Sequence, residues 1–323
     1  MKVLVREKIA DAGVELLRAK FDVDVDGESD LAETIGQYDA IVIRSATKLT
    51  AELIERAGKL KVIGRAGVGV DNVDVEAATR HGILVANAPE STVVSAAEHT
   101  IGLLVALARN VPQAHAALKQ GRWERSKWGG VELAGKTLAV LGFGRIGQQV
   151  ARRALGLGMH VVAHDPFVGP ERYRELGVER ADSNEAAIAE ADFLTLHAPL
   201  TPETRGMVGR EQLALLRPNA VVVNDARGPI LDIDALADLL RDGHIAAAGL
   251  DVLPQEPPVE PIPELLRAYR AREPWLEGRL VVTPHSAWLT PHSWEDTRRK
   301  SAETMRAALL TNRPQNVISP EMF

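Results

Sequence analysis

The stretch 137–165, TLAVLGFGRIGQQVARRALGLGMHVVAHD, decides the fold of this 323-residue chain. It opens with the apolar run 138–141, which is too short for a free-standing helix and predicts a buried parallel strand. Apolar residues then recur with helical spacing, and a second apolar run, 160–163, follows near the end of the stretch. The order strand, helix, strand predicts a βαβ unit within a parallel sheet.

Gly142, Gly144 and Gly147 lie in the turn between the first strand and the helix, in the sequence GFGRIG. Glycines at this spacing let the backbone turn tightly, approach a pyrophosphate and pack the helix against the strand, while the helix amino end attracts phosphates. Asp165 follows the second strand and can accept hydrogen bonds from the adenosine ribose, where its charge would repel a 2′-phosphate. The pattern therefore predicts NAD as the cofactor, rather than NADP.

Composition excludes several classes of protein. The formal net charge of −6 and the lack of a basic block argue against a nucleic-acid partner. The chain has no cysteine, so it forms no disulfide and no thiolate metal site, as is typical of a reducing cytoplasm. The amino terminus is a predicted strand, not a signal peptide, and no window approaches the ~18 apolar residues of a membrane span. We therefore expect a soluble cytoplasmic protein that binds neither nucleic acid nor membrane.

Short apolar runs alternate with helical patterns along most of the chain, which predicts an α/β fold with two doubly wound parallel-sheet domains. Besides the two strands above, strands are predicted at 3–5, 23–25, 40–43, 61–64, 83–85, 192–196, 220–224, 246–250 and 280–283. A charged helix predicted at 294–310 can pack back on the first domain and make it discontinuous. We expect a substrate domain from residues 1–97 with 289–323, and a dinucleotide-binding domain from residues 98–288.

The region that joins the two predicted domains contains an apolar helix pattern. The sequence SAAE at 95–98 fits a capping box and predicts the start of this helix. Residues 100–109 have almost no polar face, so the helix must be buried, either within the chain or against a second copy. The segment 112–132 carries Trp123 and Trp128 without strong periodicity, which indicates an arm reaching across a dimer or, alternatively, ordinary core.

Two arginines of the first domain directly follow predicted strands. Arg44 follows one strand, and Arg65 opens the sequence RAGVG, in which Gly67, Val68 and Gly69 form the loop. Carboxyl ends of parallel strands are where open α/β sheets bind ligands, and glycines there let backbone N–H groups converge on an anion. These residues are therefore candidates for substrate binding, the alternative being that both arginines are solvated surface charges.

Arg227, Glu256 and His285 each come shortly after a predicted strand of the second domain, on the sheet edge predicted to hold the cofactor. The sequence TPHS at 283–286 recurs at 290–293, but only the first copy follows an apolar strand, so His285 and not its repeat is the catalytic candidate. The three side chains suit oxidation of a 2-hydroxy acid. An arginine fork binds the carboxylate and polarises the carbonyl, a histidine exchanges the hydroxyl proton, and a carboxylate orients the imidazole. No metal site is predicted.

The chain resembles the D-isomer-specific 2-hydroxyacid dehydrogenases over essentially its full length. The motifs that carry this resemblance are GRAGVGVDNVD (64–74), SAAEHTIGLLVALAR (95–109), LGFGRIG (141–147), VNDARGPI (223–230), LDVLPQEPP (250–258) and TPHSAW (283–288). Within the family, residues 1–97 are most similar to the D-3-phosphoglycerate dehydrogenase branch, in a short form without its regulatory domain. The resemblance implies a Rossmann-type NAD domain inserted in a flavodoxin-like substrate domain, and a homodimer built on residues 98–132.

The resemblance also implies roles for individual residues. It places the catalytic arginine, glutamate and histidine at Arg227, Glu256 and His285, Asp251 near the nicotinamide amide, and the dinucleotide on Arg145, Ile146 and Asp165. The chain departs from the phosphoglycerate branch at three positions. Asp225 replaces a small neutral residue and is expected near the nicotinamide, Thr92 replaces an asparagine, and Trp288 resembles a pocket-lining tryptophan of the C-terminal-binding-protein branch.

We therefore expect an NAD-dependent oxidoreductase that acts on a small-molecule D-2-hydroxy acid or 2-oxo acid. The leading expectation is oxidation of D-3-phosphoglycerate to 3-phosphohydroxypyruvate, in serine biosynthesis. Alternatives are another D-2-hydroxy acid, an NAD(H)-sensing co-regulator of the same fold, or oxidation of an inorganic or one-carbon anion.

Overall fold

The computed structural model describes residues 1–9, 11–189, 191–311 and 316–318. The chain separates into two compact units, which are residues 1–93 with 288–323, and residues 94–287. The boundaries expected from the sequence, after residue 97 and after residue 288, fall slightly later in the chain than these.

The first unit contains a parallel sheet with one antiparallel edge strand. Its elements are β1 (Lys2–Val5), α1 (Asp11–Arg18), β2 (Asp22–Val25), α2 (Leu31–Thr34), β3 (Ala40–Ile43), α3 (Ala51–Glu55), β4 (Val62–Arg65), α4 (Val75–Arg80) and β5 (Leu84–Ala86). The order of the parallel strands is β5-β4-β3-β1-β2, which is the flavodoxin-like order predicted by the resemblance. The central strand β3 is buried at every position, because helices cover both faces of the sheet.

The carboxy-terminal part of the chain returns to this unit. The helix α13 (Pro291–Thr311) packs on the sheet, where the side chain of Met305 lies directly against Gly64. A Cβ atom at residue 64 would come within 2.5 Å of Met305, so glycine at this position allows the close packing. The short strand β13 (Val317–Ile318) then pairs antiparallel with β5. These contacts explain why two separate stretches of sequence form one unit.

The second unit contains a seven-stranded parallel sheet. Its elements are α5 (Val93–Ala108, shared with the end of the first unit), α6 (Val111–Lys119), β6 (Thr137–Leu141), α7 (Arg145–Gly156), β7 (His160–His164), α8 (Pro170–Leu176), β8 (Glu179–Arg180), α9 (Asn184–Ile188), β9 (Phe193–Leu196), α10 (Arg210–Ala214), β10 (Ala220–Asn224), α11 (Ile233–Arg241), β11 (Ile245–Leu250), α12 (Glu264–Ala271) and β12 (Leu280–Val282). The strand order is β12-β11-β10-β9-β6-β7-β8. Counted from β6, this is the Rossmann order with one added strand, so the predicted fold class is confirmed for both units.

The structure differs locally from the sequence predictions. The helix α5 begins at Val93, so the capping-box sequence at 95–98 lies inside the helix and does not start it. The segment before β12 contains the amphipathic helix α12, which was not predicted and whose Leu265 and Leu266 are buried. The short strands β8 and β13 were not predicted because two residues carry no periodicity.

The two tryptophans of the segment 112–132 differ in their surroundings. The ring of Trp128 packs within the unit, against Gly278. Trp123 is 79% exposed, and Val94, Val111 and Leu118 are also exposed. The described part of the chain contains no helix whose length and apolar character would let it cross a membrane.

Candidate active site

Three loops of the second unit meet at the carboxyl ends of adjacent strands. The strands β10, β11 and β12 are neighbours in the sheet, and the loops that follow them are 225–230, 251–256 and 283–287. Backbone hydrogen bonds join the loop starts: the N–H of Asp251 donates to the carbonyl of Asn224 (3.1 Å), and that of Thr283 donates to the carbonyl of Leu250 (2.9 Å). The sheet order therefore brings together the three loops that carry Arg227, Glu256 and His285.

His285 and Glu256 form a hydrogen-bonded pair. Nδ1 of the histidine lies 2.5 Å from Oε2 of the glutamate, and the other glutamate oxygen accepts the backbone N–H of Leu253 (2.8 Å). The two side chains are 36% and 32% exposed, so the ring is accessible while one of its nitrogens is occupied. With Nδ1 held by the carboxylate, Nε2 is the ring atom that can exchange a proton with a bound molecule.

Asp251 fixes the loop on both sides of His285. Its carboxylate accepts hydrogen bonds from the hydroxyl of Thr283 (2.6 Å) and from the backbone N–H groups of Ser286 and Ala287 (2.8 Å each). Its backbone carbonyl also accepts the N–H of His285 (2.7 Å). These bonds hold His285 in a left-handed backbone conformation (φ 52°), which is uncommon for a residue with a side chain. The Asp251 side chain is fully buried, so its role in this geometry is to position the loop.

The turn that carries Arg227 rests on the loop that carries Glu256. The side chain of Asn224 closes this turn, since its Nδ2 donates to the carbonyl of Arg227 (3.0 Å) and its Oδ1 accepts the N–H of Ala226 (3.0 Å). Gly228 packs directly on the backbone of Leu253, where a Cβ atom would lie 2.0 Å from the carbonyl carbon. Only glycine fits this contact, and it ties the Arg227 turn to the Glu256 loop.

Asp225, which was expected near the nicotinamide, directs its side chain toward α5. Its carboxylate is fully buried against α5, where Oδ2 lies 3.0 Å from Nδ1 of His99 and accepts the hydroxyl of Thr100 (2.8 Å). The hydrogen bond that His99 donates to the Asp225 carboxylate raises the pKa of His99 above its ordinary value of 6.5. Burial raises the pKa of Asp225, although the bonds from His99 and Thr100 oppose this.

The glycine turn after β6 has the shape that a dinucleotide requires. Gly142 has a φ of 88°, and a Cβ atom there would lie 2.5 Å from the backbone nitrogen of Ala198. A Cβ at Gly147 would lie 2.1 Å from the carbonyl oxygen of Gly142, so α7 can approach the turn only with glycine at this position. Gly144, in contrast, faces open space, which is the position where a pyrophosphate approaches the amino end of α7.

Asp165 is placed beside the glycine turn by two backbone hydrogen bonds. Its Oδ2 accepts the N–H of Phe143 (2.8 Å), and its Oδ1 accepts the N–H of Phe167 (2.9 Å). The first bond links the end of β7 to the turn itself, so the carboxylate is fixed where an adenosine ribose would lie. Arg145 and Ile146 occupy the first turn of α7, the arginine exposed and the isoleucine half-buried. The residues of this unit therefore fit an NAD molecule.

In the first unit, Arg44 lies in a cluster with two tryptophans and a second arginine. The Arg44 guanidinium carbon is 5.5 Å from the ring centroid of Trp288 and 4.6 Å from that of Trp294, and the two rings are stacked. The Arg298 guanidinium lies 3.3 Å from the same Trp294 ring. Within the described residues, no carboxylate forms an ion pair with Arg44 or Arg298. Burial, together with the charge of Arg44, lowers the pKa of Arg298 to about 10.

Arg65 and its glycine loop differ from expectation in one respect. The N–H of Gly67 donates to the carbonyl of Arg65 (2.9 Å), so this amide is not available to an anion. The Arg65 guanidinium folds over Gly67, where a Cβ atom would overlap it. The carbonyl of Val68 accepts the side-chain amide of Asn87 (2.6 Å), and Gly69 is half-buried. The Gly67 amide and the Val68 carbonyl are thus already hydrogen-bonded.

Sequence reasoning missed His99, Trp294 and Arg298. His99 lies within an apolar helix pattern, where a lone polar residue is a weak signal. Trp294 and Arg298 are four residues apart in a charged helix, a spacing that places both side chains on one face. That spacing was the signal that could have identified them.

Comparisons with known proteins agree with this geometry. Residues 101–287 match the family described as D-isomer specific 2-hydroxyacid dehydrogenase, NAD binding domain. The chain is 44% identical to the D-3-phosphoglycerate dehydrogenase of Methanocaldococcus jannaschii over 323 residues, which is 99% of this chain and 59% of that protein. The curated relatives it matches are longer: the chain spans as little as 48% of their length.

Solved structures of similar proteins cover the whole chain. The TT0316 protein of Thermus thermophilus is 34% identical, with a TM-score of 0.86 over 98% of this chain and 100% of that one. The D-lactate dehydrogenase of Aquifex aeolicus, solved with NAD and lactic acid, is 26% identical, with a TM-score of 0.83 over 96% of this chain and 95% of that one.

Proposed function

The chain belongs to the D-isomer-specific 2-hydroxyacid dehydrogenases, and from this premise we propose that it interconverts a D-2-hydroxy acid and its 2-oxo acid. NAD is the cofactor, and when bound it accepts or supplies the hydride. The observation that carries the proposal is the His285–Glu256 hydrogen bond at 2.5 Å, on a loop adjacent to the Arg227 turn. An acid–base pair beside a permanently charged fork is the set of groups that this reaction needs.

Each residue of the set has a distinct role. Arg227 binds the substrate carboxylate and polarises the carbonyl oxygen, because a guanidinium offers several donors in one plane. His285 removes the hydroxyl proton in oxidation and returns it in reduction, through Nε2. Glu256 orients the ring through its hydrogen bond to Nδ1. Asp251 acts through the loop, as a positioning residue.

We propose D-3-phosphoglycerate as the substrate. The longer relatives that are about 44% identical to this chain are named D-3-phosphoglycerate dehydrogenases. Arg44 and Arg298 supply positive charge without an ion-paired carboxylate among the described residues, and this charge suits a distal phosphate. The other proposed substrate contacts are Arg65, Gly67, Val68, Gly69 and Trp288. The amide of Gly67 is already hydrogen-bonded, so it is not a free donor.

A second candidate substrate is a D-2-hydroxy acid with an apolar or aromatic side chain. The stacked rings of Trp288 and Trp294 favour it, since indole faces bind apolar groups as well as cations. The similar D-lactate dehydrogenase of Aquifex aeolicus acts on an unphosphorylated acid, as its name states.

A substrate panel tests both candidates. Purified protein with NAD would be assayed for oxidation of D-3-phosphoglycerate, D-glycerate, D-lactate and D-phenyllactate, and with NADH for reduction of the matching 2-oxo acids. We expect the highest kcat/KM with the phosphorylated pair. Equal or higher values for an unphosphorylated acid would remove the substrate proposal and leave the reaction class. Binding of NADH without turnover of any acid would remove the enzymatic proposal and favour the NAD(H)-sensing co-regulator.

We also propose that the protein is a cytoplasmic homodimer. Support for the dimer comes from the exposed apolar side chains of Val111, Leu118 and Trp123, which lie in one stretch of sequence within the region expected to form the interface. Sedimentation of the protein and of a Leu118→Glu variant provides the test. We expect a dimer for the first and a shift toward monomer for the second, and a monomeric wild type would contradict this proposal.

A further inference from the structure

A single imidazole bridges the two aspartates that precede the Arg227 and His285 loops. His99 lies on α5, and its Nδ1 is 3.0 Å from Oδ2 of Asp225, the residue directly after β10. Its Nε2 is 3.9 Å from Oδ1 of Asp251, the residue directly after β11. The two aspartates belong to different loops, and His99 contacts both from a third element.

The two carboxylates need a positive charge between them. Both side chains are fully buried, and ligand-type atoms of Asp225, Asp251 and His99 all lie within 4.8 Å of one another. Two buried carboxylates this close disfavour each other's ionised form unless a cation compensates them. No lysine or arginine of the described residues forms an ion pair with either carboxylate. The imidazole of His99, which lies between them, can supply this charge when it is protonated.

The other charged groups near His99 are accounted for. Its neighbour on α5, Glu98, pairs with Arg153 on α7 at 3.4 Å. Thr100 donates its hydroxyl to Asp225 (2.8 Å), and Oδ1 of Asp225 is buried without a hydrogen-bond partner. The charge on Asp225 thus depends on His99 more than on any other cation of the described residues.

Each aspartate connects His99 to a residue of the proposed catalytic set. Asp251 holds Thr283, Ser286 and Ala287, and through them the strained backbone of His285. Asp225 is the first residue of the turn that presents Arg227, and its hydrogen bond with His99 anchors this turn. We propose that His99, as an imidazolium between Asp225 and Asp251, is a positioning residue that holds the Arg227 and His285 loops in their active arrangement. This proposal rests on the proposed function of those two residues.

The same three groups are also of the types that bind divalent metals, but their contacts favour a proton. The Asp251 oxygen nearest to His99, Oδ1, already accepts the hydroxyl of Thr283 and the N–H of Ser286, which occupy both of its lone pairs. The 3.0 Å separation of His99 and Asp225 is that of a direct hydrogen bond. Metal dependence is therefore an outcome of the test that would overturn the proposal.

The test is a double-mutant cycle of His99→Gln and Asp225→Asn, followed across pH. With the 2-oxo acid that the wild type reduces fastest, we expect His99→Gln to lower kcat about tenfold or more at pH 6, where the wild-type imidazole is charged. The loss should narrow toward pH 9, because the wild type then loses the same positive charge. The double variant should recover most of the loss, since it removes one negative and one positive charge together.

His160→Gln is the matched control, because His160 forms an exposed pair with Glu179 (3.2 Å) in the same unit. It should behave as the wild type. A His99→Gln variant with wild-type kcat at every pH would overturn the proposal. So would an equal loss at every pH that Asp225→Asn does not rescue, or activity that EDTA abolishes and Zn²⁺ restores.

A measurement without turnover separates this proposal from the proposed function. NMR of protein labelled at its nine histidines follows the titration of His99, identified by its absence in His99→Gln. We expect Asp225→Asn to move this titration to lower pH by about one unit or more. An unchanged titration would overturn the bridge even in an active enzyme, whereas an inactive wild type with the expected shift would contradict only the proposed function.

Discussion

The second unit contains two histidine–carboxylate pairs that differ in their surroundings. His285 and Glu256 are 2.5 Å apart with side chains 36% and 32% exposed, whereas His99 and Asp225 are 3.0 Å apart with side chains 22% and 0% exposed. The first pair presents one ring nitrogen to solvent. The second is enclosed by α5 and the strand ends, and its carboxylate is inaccessible.

The difference shows how one chemical pair serves two purposes. An accessible ring can exchange a proton with a substrate, so the first pair suits acid–base chemistry. A buried pair cannot exchange easily, but its charges interact strongly because water screens them little. The second pair is therefore suited to holding loops in place. If this distinction is correct, substitutions in the two pairs should have effects of different size and kind.

The largest effect is expected for His285→Asn. Removal of the proton-exchanging group should lower kcat by on the order of 10²–10⁴-fold. Asparagine tolerates the left-handed backbone at this position, so the loop should keep its conformation and NADH affinity should change little. Steady-state kinetics and NADH fluorescence titration measure the two quantities.

The repeat of the TPHS sequence provides the control for this variant. His292 is exposed at the start of α13, where Thr290 caps the helix by accepting the N–H of Ser293 (3.1 Å). His292→Asn should therefore leave kcat almost unchanged. Comparable losses in the two variants would show that the accessible pair is not the acid–base group.

A smaller effect is expected for Glu256→Gln. Glutamine keeps a hydrogen-bond acceptor near Nδ1 but carries no charge, so the ring stays oriented while the hydrogen bond loses its charge assistance. Charge-assisted hydrogen bonds contribute about 1.5–3 kcal/mol, which corresponds to a loss of about 10- to 100-fold in kcat. Glu179→Gln, in the exposed pair with His160, is the matched control. An unchanged kcat in Glu256→Gln would mean that orientation alone suffices.

The smallest effect is a pH-dependent change in thermal stability for His99→Gln. The pKa of His99 is raised by Asp225, so its contribution to stability is complete below pH 6.5 and is lost as the pH rises through the folded-state value. The Tm difference from the wild type should therefore be largest near pH 6 and should narrow toward pH 9. Each kcal/mol of unfolding free energy lost corresponds to a decrease in Tm of about 2–4 °C. Scanning calorimetry of both proteins tests this. A difference that widens toward pH 9 would contradict the assigned ion pair.

Much of the fold follows from local sequence patterns. The parallel strands of both sheets, apart from the two-residue β8, were predicted within one or two residues, because buried parallel strands are apolar runs bounded by turn residues. The helix α12 was not predicted, because four prolines precede it and proline is disfavoured in helix interiors. The start of α5 was misplaced because the capping-box pattern occurs in helix interiors as well.

The candidate site was predictable only in part. Arg227, Glu256 and His285 were identified because each follows a strand, and carboxyl ends of parallel strands share one edge. The contacts of Asp225 were not predicted, because its position after β10 indicates the ligand edge but not the direction of its side chain. That direction is set by His99 and Thr100, which lie on a helix more than a hundred residues earlier in the sequence.

The sequence by itself determined the order of strands and helices, the glycine turn for NAD and the residue types at the strand ends. These features depend on periodicity and on backbone conformations that only certain residues adopt, and both are local properties of the chain. Only the tertiary structure decided that His99 meets two aspartates, and that Arg44 and Arg298 share one tryptophan. Such contacts depend on how distant elements pack, and the spacing of residues along the chain does not encode that packing.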